Sequence, residues 1–88
     1  MSEYRYEGCK QLGFEIAREA VEEYMAAIQA KAKGKQTFHY LFKCYTDKSI
    51  SECERYFRSN NWLIHTGIEN RVVLEWAERY KKQWLKNI

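Results

Sequence analysis

The stretch SECERYFRSNNWL, residues 51–63, combines a helix-start signal, aromatic residues, two arginines and a polar elbow. Ser51 and Glu54 have the S-x-x-E spacing of a capping box, in which both side chains accept hydrogen bonds from backbone amides at the start of a helix. Ser49 and Glu52 repeat this spacing two residues earlier. We therefore predict a short helix starting at Ser51. Its core side carries Cys53, Tyr56 and Phe57, and its outer side carries Glu54, Arg55 and Arg58.

A second capping box after the elbow predicts the last helix. Thr66 and Glu69 have the required spacing around Gly67, and the amphipathic pattern continues to about Lys86. Its apolar residues form one row of Val73, Ala77, Tyr80 and Trp84 and a second row of Ile68, Val72 and Trp76. An apolar arc of this width can contact two neighbouring helices.

The first long helix is predicted over residues 9–33. Apolar side chains recur there at alternating intervals of three and four residues, at Phe14, Ala17, Val21, Tyr24 and Ile28. Gly34 follows directly, as is usual for the residue after a helix end. We expect this apolar stripe to pack against a partner helix.

The segment TFHYLFKCY, residues 37–45, fits two secondary structures. A helix would align Phe38, Leu41, Phe42 and Tyr45, whereas a strand would align Phe38, Tyr40, Phe42 and Cys44. We predict a helix, because a lone strand would leave its backbone groups without hydrogen-bond partners.

These elements predict an all-α fold, a small helical bundle with two long and two short helices. Residues 9–88 would form the single domain, and residues 1–8 a flexible N-terminus. A chain of 88 residues buries only about 60–65% of the surface that its unfolded form exposes, so we expect a homodimer to add buried surface.

Charge and hydropathy narrow the classes of function. The formal net charge is only +3, and a dedicated nucleic-acid binder usually carries a denser basic stripe. The first eight residues, MSEYRYEG, lack the apolar core of a signal peptide, and no window is apolar enough for a membrane span. We expect a cytoplasmic protein.

The cysteines and histidines favour neither a metal site nor catalysis. Cys9, Cys44 and Cys53 have no CxxC spacing, and with His39 and His65 they match no closed zinc pattern. We predict reduced thiols, with Cys44 and Cys53 filling the core, and no metal or cofactor. Neither histidine has a recognisable nucleophile beside it, and there is no glycine-rich phosphate loop, so we predict that the protein is not an enzyme.

Two sets of binding residues are candidates. The start of the last helix would present free amides around Gly67 and Ile68, which suits a phosphate, with a bidentate arginine beside them. The phosphate-binding set is Arg58, His65, Thr66, Gly67 and Arg71. The competing interpretation makes Arg58, Asn60 and Asn61 a hydrogen-bonded brace for the corner and places Trp62 in the core. The partner-protein set is Arg55, Arg58, Asn60, Asn61, Trp62, Trp76 and Trp84, because aromatic and arginine side chains dominate protein interfaces.

Residues 52–80, ECERYFRSNNWLIHTGIENRVVLEWAERY, carry an acidic residue, an aromatic pair, Arg-Ser, a tryptophan turn, Thr-Gly and a final amphipathic helix. These features are Glu54, Tyr56-Phe57, Arg58-Ser59, Trp62 and Thr66-Gly67. The pattern resembles that of a family of small helical proteins encoded by phages and prophages of Gram-positive bacteria. The resemblance implies a helical accessory protein of phage origin, located in the host cell cytoplasm, and implies no activity.

We therefore expect a non-enzymatic protein that acts by binding. In the first hypothesis, its aromatic and arginine-bearing surface occludes a host or anti-phage defence protein. In the alternative, the corner between Arg58 and Gly67 binds the phosphate of a nucleotide or nucleic acid. The low net charge favours the first hypothesis.

Overall fold

Four helices and one short hairpin make up the described part of the chain. The computed structural model describes the backbone of residues 2–85 and the side chains of residues 12–85. The elements in chain order are helix α1 (Ser2–Ala32), strands β1 (Phe38–His39) and β2 (Cys44–Tyr45), and helices α2 (Thr46–Arg58), α3 (Asn60–Thr66) and α4 (Asn70–Leu85). The predicted helical character is confirmed, but the hairpin means that the fold is not purely all-α.

The core lies between α1 and the three later helices, each of which contacts it. Three alanines on α1, Ala17, Ala20 and Ala27, are almost fully buried and allow the other helices to approach its backbone closely. The remaining buried apolar residues of this cluster are Tyr24, Ile28, Ile50, Cys53, Phe57, Trp62, Val73 and Ala77. The predicted core positions of Cys44 and Cys53 are also confirmed.

Helix α1 ends as predicted but begins earlier. Gly34 has φ = 71°, its amide donates to the Lys31 carbonyl, and the Lys35 amide donates to the Ala30 carbonyl, which is the hydrogen-bond pattern of a Schellman C-cap. The helix begins at Ser2 rather than near residue 9. The flexible N-terminus predicted for residues 1–8 lies outside the residues whose side chains are described, and it stays a prediction.

The helix predicted over residues 37–45 is wrong, because this segment folds back on itself as an antiparallel hairpin. Phe38 pairs with Tyr45, and His39 pairs with Cys44. A strand in this segment does have a partner, because the two halves of the segment pair with each other. The turn requires Lys43 to adopt φ = 52°, a left-handed conformation that is uncommon for lysine and that the sequence therefore does not indicate.

The predicted start of α2 at Ser51 is also wrong. The helix begins at Thr46, directly after β2, and Tyr45 occupies the N-cap without a side-chain capping bond. Ser49 and Ser51 therefore lie inside the helix, where neither capping box can form. Strand β2 runs straight into the helix, and Asp47 supplies a negative charge in the first turn.

The polar elbow contains a helix of its own. Ser59 caps α3, since its hydroxyl accepts a hydrogen bond from the Trp62 amide. The Asn70 amide group donates to the carbonyls of Phe57 (2.6 Å) and Ser59 (2.8 Å) and so joins the start of α4 to the end of α2. Residues 2–85 thus contain four helices, but one of the predicted short helices is a hairpin and the elbow is helical instead.

The capping box predicted at Thr66 and Glu69 is wrong as well. Thr66 is the last residue of α3, and Gly67, with φ = 71°, ends that helix by donating its amide to the Leu63 carbonyl. Helix α4 begins only at Asn70 and is described to Leu85, so the predicted end near Lys86 lies outside the described residues.

Candidate functional site

Three exposed aromatic rings stand together on the hairpin. Phe38, Tyr40 and Tyr45 are 41%, 79% and 60% exposed. The ring centroid of Phe38 lies 5.1 Å from that of Tyr40 and 5.5 Å from that of Tyr45, and both pairs are edge-to-face. We call these three residues the aromatic hairpin surface. Exposed aromatic clusters of this kind are typical of protein interfaces.

The opposite face of the hairpin is buried and polar. His39 and Cys44 point inward, as the register requires when Phe38 and Tyr45 point outward. The Thr46 hydroxyl is fully buried, accepts a hydrogen bond of 2.8 Å from the Thr37 amide and lies 3.5 Å from His39 Nε2. These bonds fasten the base of the hairpin to the first residue of α2.

The tip of the hairpin is attached to α1. The Leu41 amide donates a hydrogen bond of 2.8 Å to Oε1 of Glu23. Leu41 and Phe42 also pack against the core. The tip is therefore held by one charge-assisted hydrogen bond and by apolar contacts.

The segment before the hairpin is held by Asp47. Its carboxylate lies 3.0 Å from Lys31 Nζ and accepts a hydrogen bond of 3.2 Å from Gln36. The bond from Lys31 lowers the pKa of Asp47, with a further contribution from Gln36. Together with the base and the tip, this contact holds the hairpin at three places.

An acidic pocket of about 550 Å³ lies beside the aromatic hairpin surface. We define it by the residues that line it, which are Glu19, Glu22, Glu23, Ala26, Tyr40 and Leu41. Oε2 of Glu23 is buried and has no hydrogen-bond partner among the described residues. None of the three glutamates forms an ion pair with a described side chain. Tyr40 belongs to both features, so the pocket and the aromatic hairpin surface are continuous.

The predicted partner-binding residues differ in exposure. Arg55, Asn60 and Asn61 are exposed, and Arg58 is exposed with its guanidinium 3.9 Å from Glu54. Trp62 is only 4% exposed and belongs to the core, as the competing interpretation proposed.

The other two tryptophans lie along α4 and differ in burial. Trp76 is half-buried against Tyr24 and Phe57, with ring centroids 5.8 and 6.4 Å away. Trp84 is 39% exposed and follows Tyr80 at a centroid distance of 6.2 Å. Trp84 is therefore the tryptophan of the predicted set that offers substantial surface to a partner.

The predicted phosphate corner has its nearest amides occupied. The Gly67 amide donates to the Leu63 carbonyl, and the Ile68 amide donates to the Thr66 hydroxyl, so the expectation of free amides at these two residues is wrong. His65 Nδ1 lies 2.6 Å from the Tyr56 hydroxyl. Arg71 lies 3.6 Å from Glu69. The hydrogen-bonding groups of these residues are therefore directed mainly to neighbouring residues outside the predicted phosphate set.

A smaller apolar groove separates α1 from α3. It has a volume of about 230 Å³, and its walls include Phe14, Val21, Trp62 and Ile68. Phe14, which was predicted to pack against a partner helix as part of the apolar stripe, is instead exposed at the edge of this groove. The indole Nε1 of Trp62 is buried and has no acceptor among the described residues.

The two described cysteines are buried thiols. Burial raises the pKa of the Cys53 thiol to about 12 and also raises the pKa of Cys44. Both therefore stay protonated at neutral pH, and a protonated thiol is a weak nucleophile. Within residues 12–85, no group of three or more His, Cys, Asp or Glu side chains is arranged to hold a metal ion. No helix in the described part of the chain has the length and apolar character of a membrane span.

Comparison with known protein families, with curated proteins and with solved structures gives no match to this chain. The resemblance to phage and prophage proteins therefore stays a prediction.

The sequence contained a signal for the hairpin that helical spacing outweighed. The alternation of Phe38, Tyr40, Phe42 and Cys44 indicates extended backbone, although the hairpin places Phe38 and Cys44 on opposite faces. The hairpin is hard to predict because its turn lacks glycine, proline and asparagine and places a lysine at positive φ. The acidic pocket was not foreseeable, because Glu19, Glu22 and Glu23 have the spacing of an ordinary solvated helix face.

Proposed function

We propose that this protein is a non-enzymatic binding protein that docks on a partner protein through the aromatic hairpin surface. The observation that supports this proposal is that the ring of Phe38 contacts the rings of both Tyr40 and Tyr45. The hairpin that carries these rings is held at its base, at its tip and at the segment before it. Tyrosine and phenylalanine supply large contact areas and, for tyrosine, a hydroxyl that can bond at the rim of an interface.

The anchoring of the hairpin favours tight docking. A loop that becomes ordered on binding loses conformational entropy, and each immobilised side chain costs about 0.5–1.5 kcal/mol. Here the backbone on both sides of the rings is already fixed by Thr46 and Glu23. The rings also contact each other before any partner arrives. Most of the ordering cost is therefore met during folding.

The more specific part of the proposal is an accessory role in which docking covers a functional surface of a host or anti-phage defence protein. This role rests on the resemblance of residues 52–80 to phage and prophage proteins. A small rigid protein that presents exposed aromatic rings is suited to occlusion, because it needs no reaction centre of its own.

Cross-linking capture from phage-infected or defence-bearing cells tests the proposal. The wild type is compared with a variant that carries Phe38→Ser, Tyr40→Ser and Tyr45→Ser. A matched control replaces three exposed apolar residues elsewhere, with Leu63→Ser, Ile64→Ser and Val72→Ser. A candidate partner must then bind the purified wild type in calorimetry.

We expect the hairpin variant to lose that partner and the control to keep it, with Tyr40→Ala alone costing about 2 kcal/mol of binding free energy or more. Equal binding by the wild type and the folded hairpin variant would refute the proposal.

A further inference from the structure

We propose that the partner protein presents acidic residues to the lysines that flank the aromatic hairpin surface. This inference rests on the proposed function and adds the chemistry of the partner. Its docking face would combine an apolar patch, which meets Phe38, Tyr40 and Tyr45, with carboxylates at the edge of that patch.

The net positive charge of the chain is concentrated around the hairpin. Residues 31–48, which we call the basic segment, contain five lysines and one aspartate and so carry a formal charge of +4. The rest of the chain contains ten lysines and arginines against eleven aspartates and glutamates, which gives a formal charge of −1. The net charge of +3 therefore arises in the segment that carries the exposed rings. The five lysines are Lys31, Lys33, Lys35, Lys43 and Lys48.

The fold places most of these lysines at the base of the hairpin. The carboxylate of Asp47 lies 3.0 Å from Lys31 Nζ and accepts a hydrogen bond of 3.2 Å from Gln36, so the end of α1 meets the first turn of α2 there. Lys35 and Lys48 directly flank this junction in the chain. Because strand β1 follows the junction and strand β2 precedes it, the lysines lie beside the aromatic hairpin surface.

The ammonium groups of the basic segment are available to a partner. All five lysines are exposed. Among the described side chains, only Lys31 of the five has an ion-pair partner, and that partner, Asp47, is the single carboxylate residue of the segment. Four lysines can therefore bind carboxylates of a second protein without giving up an ion pair of their own.

Helix electrostatics explains only part of this charge. Lys31 lies in the last turn of α1, where a cation interacts favourably with the helix dipole. Lys48 is the third residue of α2, where the dipole disfavours a cation. Lys43 adopts φ = 52°, a conformation that is uncommon for lysine. Folding does not favour lysine at these last two positions, so binding is the better explanation for both.

The glutamates of the acidic pocket favour a protein over a nucleic acid as the source of negative charge. Glu19, Glu22 and Glu23 line that pocket together with Tyr40. A nucleic-acid strand stacked on all three rings would bring its regularly spaced phosphates close to these carboxylates. A protein can instead place carboxylates beside the lysines and uncharged groups beside Tyr40. Charge complementarity therefore points to an acidic protein segment.

The experiment is an NMR titration of the ¹⁵N-labelled protein with three probes. The first is a capped peptide in which a leucine is flanked by glutamates, and the second is the same peptide with glutamines. The third is a short oligothymidylate, which tests for nucleic acid. The variant is Lys35→Gln with Lys48→Gln. The matched control is Arg79→Gln with Lys82→Gln, which removes the same charge from exposed positions on α4.

We expect saturable shifts centred on the amides of Phe38 and Tyr45 with the glutamate peptide. The glutamine peptide should bind about tenfold more weakly or less, and added salt should weaken the glutamate peptide selectively. Lys35→Gln/Lys48→Gln should reduce affinity for the glutamate peptide about fivefold, because it removes two exposed charge contacts, and the α4 control should bind as the wild type does.

Four results would overturn the inference. These are no saturable shift with the glutamate peptide, equal binding of the two peptides, unchanged affinity in the folded lysine variant, and tighter binding of the oligothymidylate than of the glutamate peptide. The last result would assign the basic segment to nucleic acid.

The outcome is separable from that of the proposed function. If the hairpin serine variant loses the captured partner while Lys35→Gln/Lys48→Gln binds it normally and the glutamate peptide does not bind, docking stands and the acidic partner is refuted. If the lysine variant loses the glutamate peptide while the serine variant keeps its partner, the basic segment stands as a carboxylate-binding surface and docking through the rings is refuted.

Discussion

The hydroxyl of Tyr24 donates a hydrogen bond of 2.9 Å to Oε2 of Glu54 and so links α1 to α2 inside the core. The same hydroxyl lies 3.3 Å from the Ala77 carbonyl of α4. The ammonium of Lys81, also on α4, lies 3.3 Å from the same Glu54 oxygen. One buried hydroxyl and one half-buried carboxylate thus connect three helices, which gives this part of the core a defined geometry.

Tyr24→Phe should destabilise the protein by about 1–2 kcal/mol, because it removes the hydroxyl and leaves a buried acceptor with fewer donors. Urea unfolding followed by circular dichroism measures this change. The matched control is Tyr40→Phe, which removes a hydroxyl from a largely exposed ring and should leave stability within about 0.5 kcal/mol. Equal stabilities for the two variants would show that the Tyr24 bond contributes nothing.

Gly13→Ala tests how closely α1 and α3 approach. A Cβ at residue 13 would lie 2.6 Å from Cδ2 and 2.9 Å from Cγ of His65. The imidazole cannot easily move away, because its Nδ1 is 2.6 Å from the Tyr56 hydroxyl. We expect Gly13→Ala to cost about 1–3 kcal/mol in the wild type.

The control for this prediction is the same substitution in a His65→Ala protein. There the contacts with Cγ and Cδ2 are removed and only the Cβ of residue 65, at 3.3 Å, remains close. The cost should therefore largely disappear, and alanine in place of glycine inside a helix can stabilise by up to about 1 kcal/mol. A double-mutant cycle measured by urea unfolding gives both values. If Gly13→Ala has the same effect in both backgrounds, the two residues are not in contact.

In the last helix, periodicity predicts which side is buried but not where the helix begins. Val73 and Ala77 are buried as the apolar row required, because a spacing of four residues fixes one side of a helix. The starts of α2 and α4 were misplaced, because a serine or threonine three residues before a glutamate is a local pattern that tertiary contacts override. At α2, the helix begins at Thr46 because strand β2 of the hairpin ends at Tyr45, directly before it.

The candidate site was less predictable than the helices. The aromatic hairpin surface depends on a long-range decision, namely whether residues 37–45 pair with themselves, and the local sequence favoured both answers. The acidic pocket depends on Leu41 and Glu23, which are far apart in sequence and meet only in the folded chain. Trp62 shows the converse, since aromatic character alone does not separate an interface anchor from a core residue.

Asn70, rather than Arg58 or Asn60, should brace the corner. Asn70 donates to two backbone carbonyls near the end of α2, whereas Arg58 makes one long ion pair at the surface and Asn60 is exposed. Asn70→Ala should therefore cost about 1–3 kcal/mol. Arg58→Ala and Asn60→Ala should each stay within about 0.5 kcal/mol. Urea unfolding measures the stability of all three variants. A large loss of stability in Arg58→Ala would show that Arg58 braces the corner.

Stability should fall as the solution becomes alkaline. Burial raises the pKa of the Cys53 thiol to about 12, and it also raises the pKa values of Cys44, Tyr24 and Tyr56. Above an ordinary thiol pKa of about 8.5, the unfolded chain releases the Cys53 proton while the folded chain keeps it. The folded state then binds more protons, so the free energy of unfolding decreases with pH by about 1.4 kcal/mol per unit for each such group.

Unfolding free energies between neutral pH and about pH 10 test this linkage. Cys53→Ala should flatten the decline, because it removes one of the contributing groups. Ile50→Val, a buried substitution without a titratable group, should lower stability at every pH and leave the slope unchanged. A wild-type curve that stays level across this range would contradict a buried, protonated Cys53.

The two tryptophans of α4 should separate into a core residue and a surface residue. Trp76 is half-buried against Tyr24, Phe57 and Tyr80, so Trp76→Ala should cost about 2–4 kcal/mol of stability. Trp84 contacts Tyr80 and is substantially exposed, so Trp84→Ala should cost less than about 1 kcal/mol. Urea unfolding of both variants gives the comparison.

Any loss of partner binding in Trp84→Ala then reports a direct contact, because the fold is preserved, whereas the same loss in Trp76→Ala would reflect a damaged core. Similar stability losses in the two variants would refute this division.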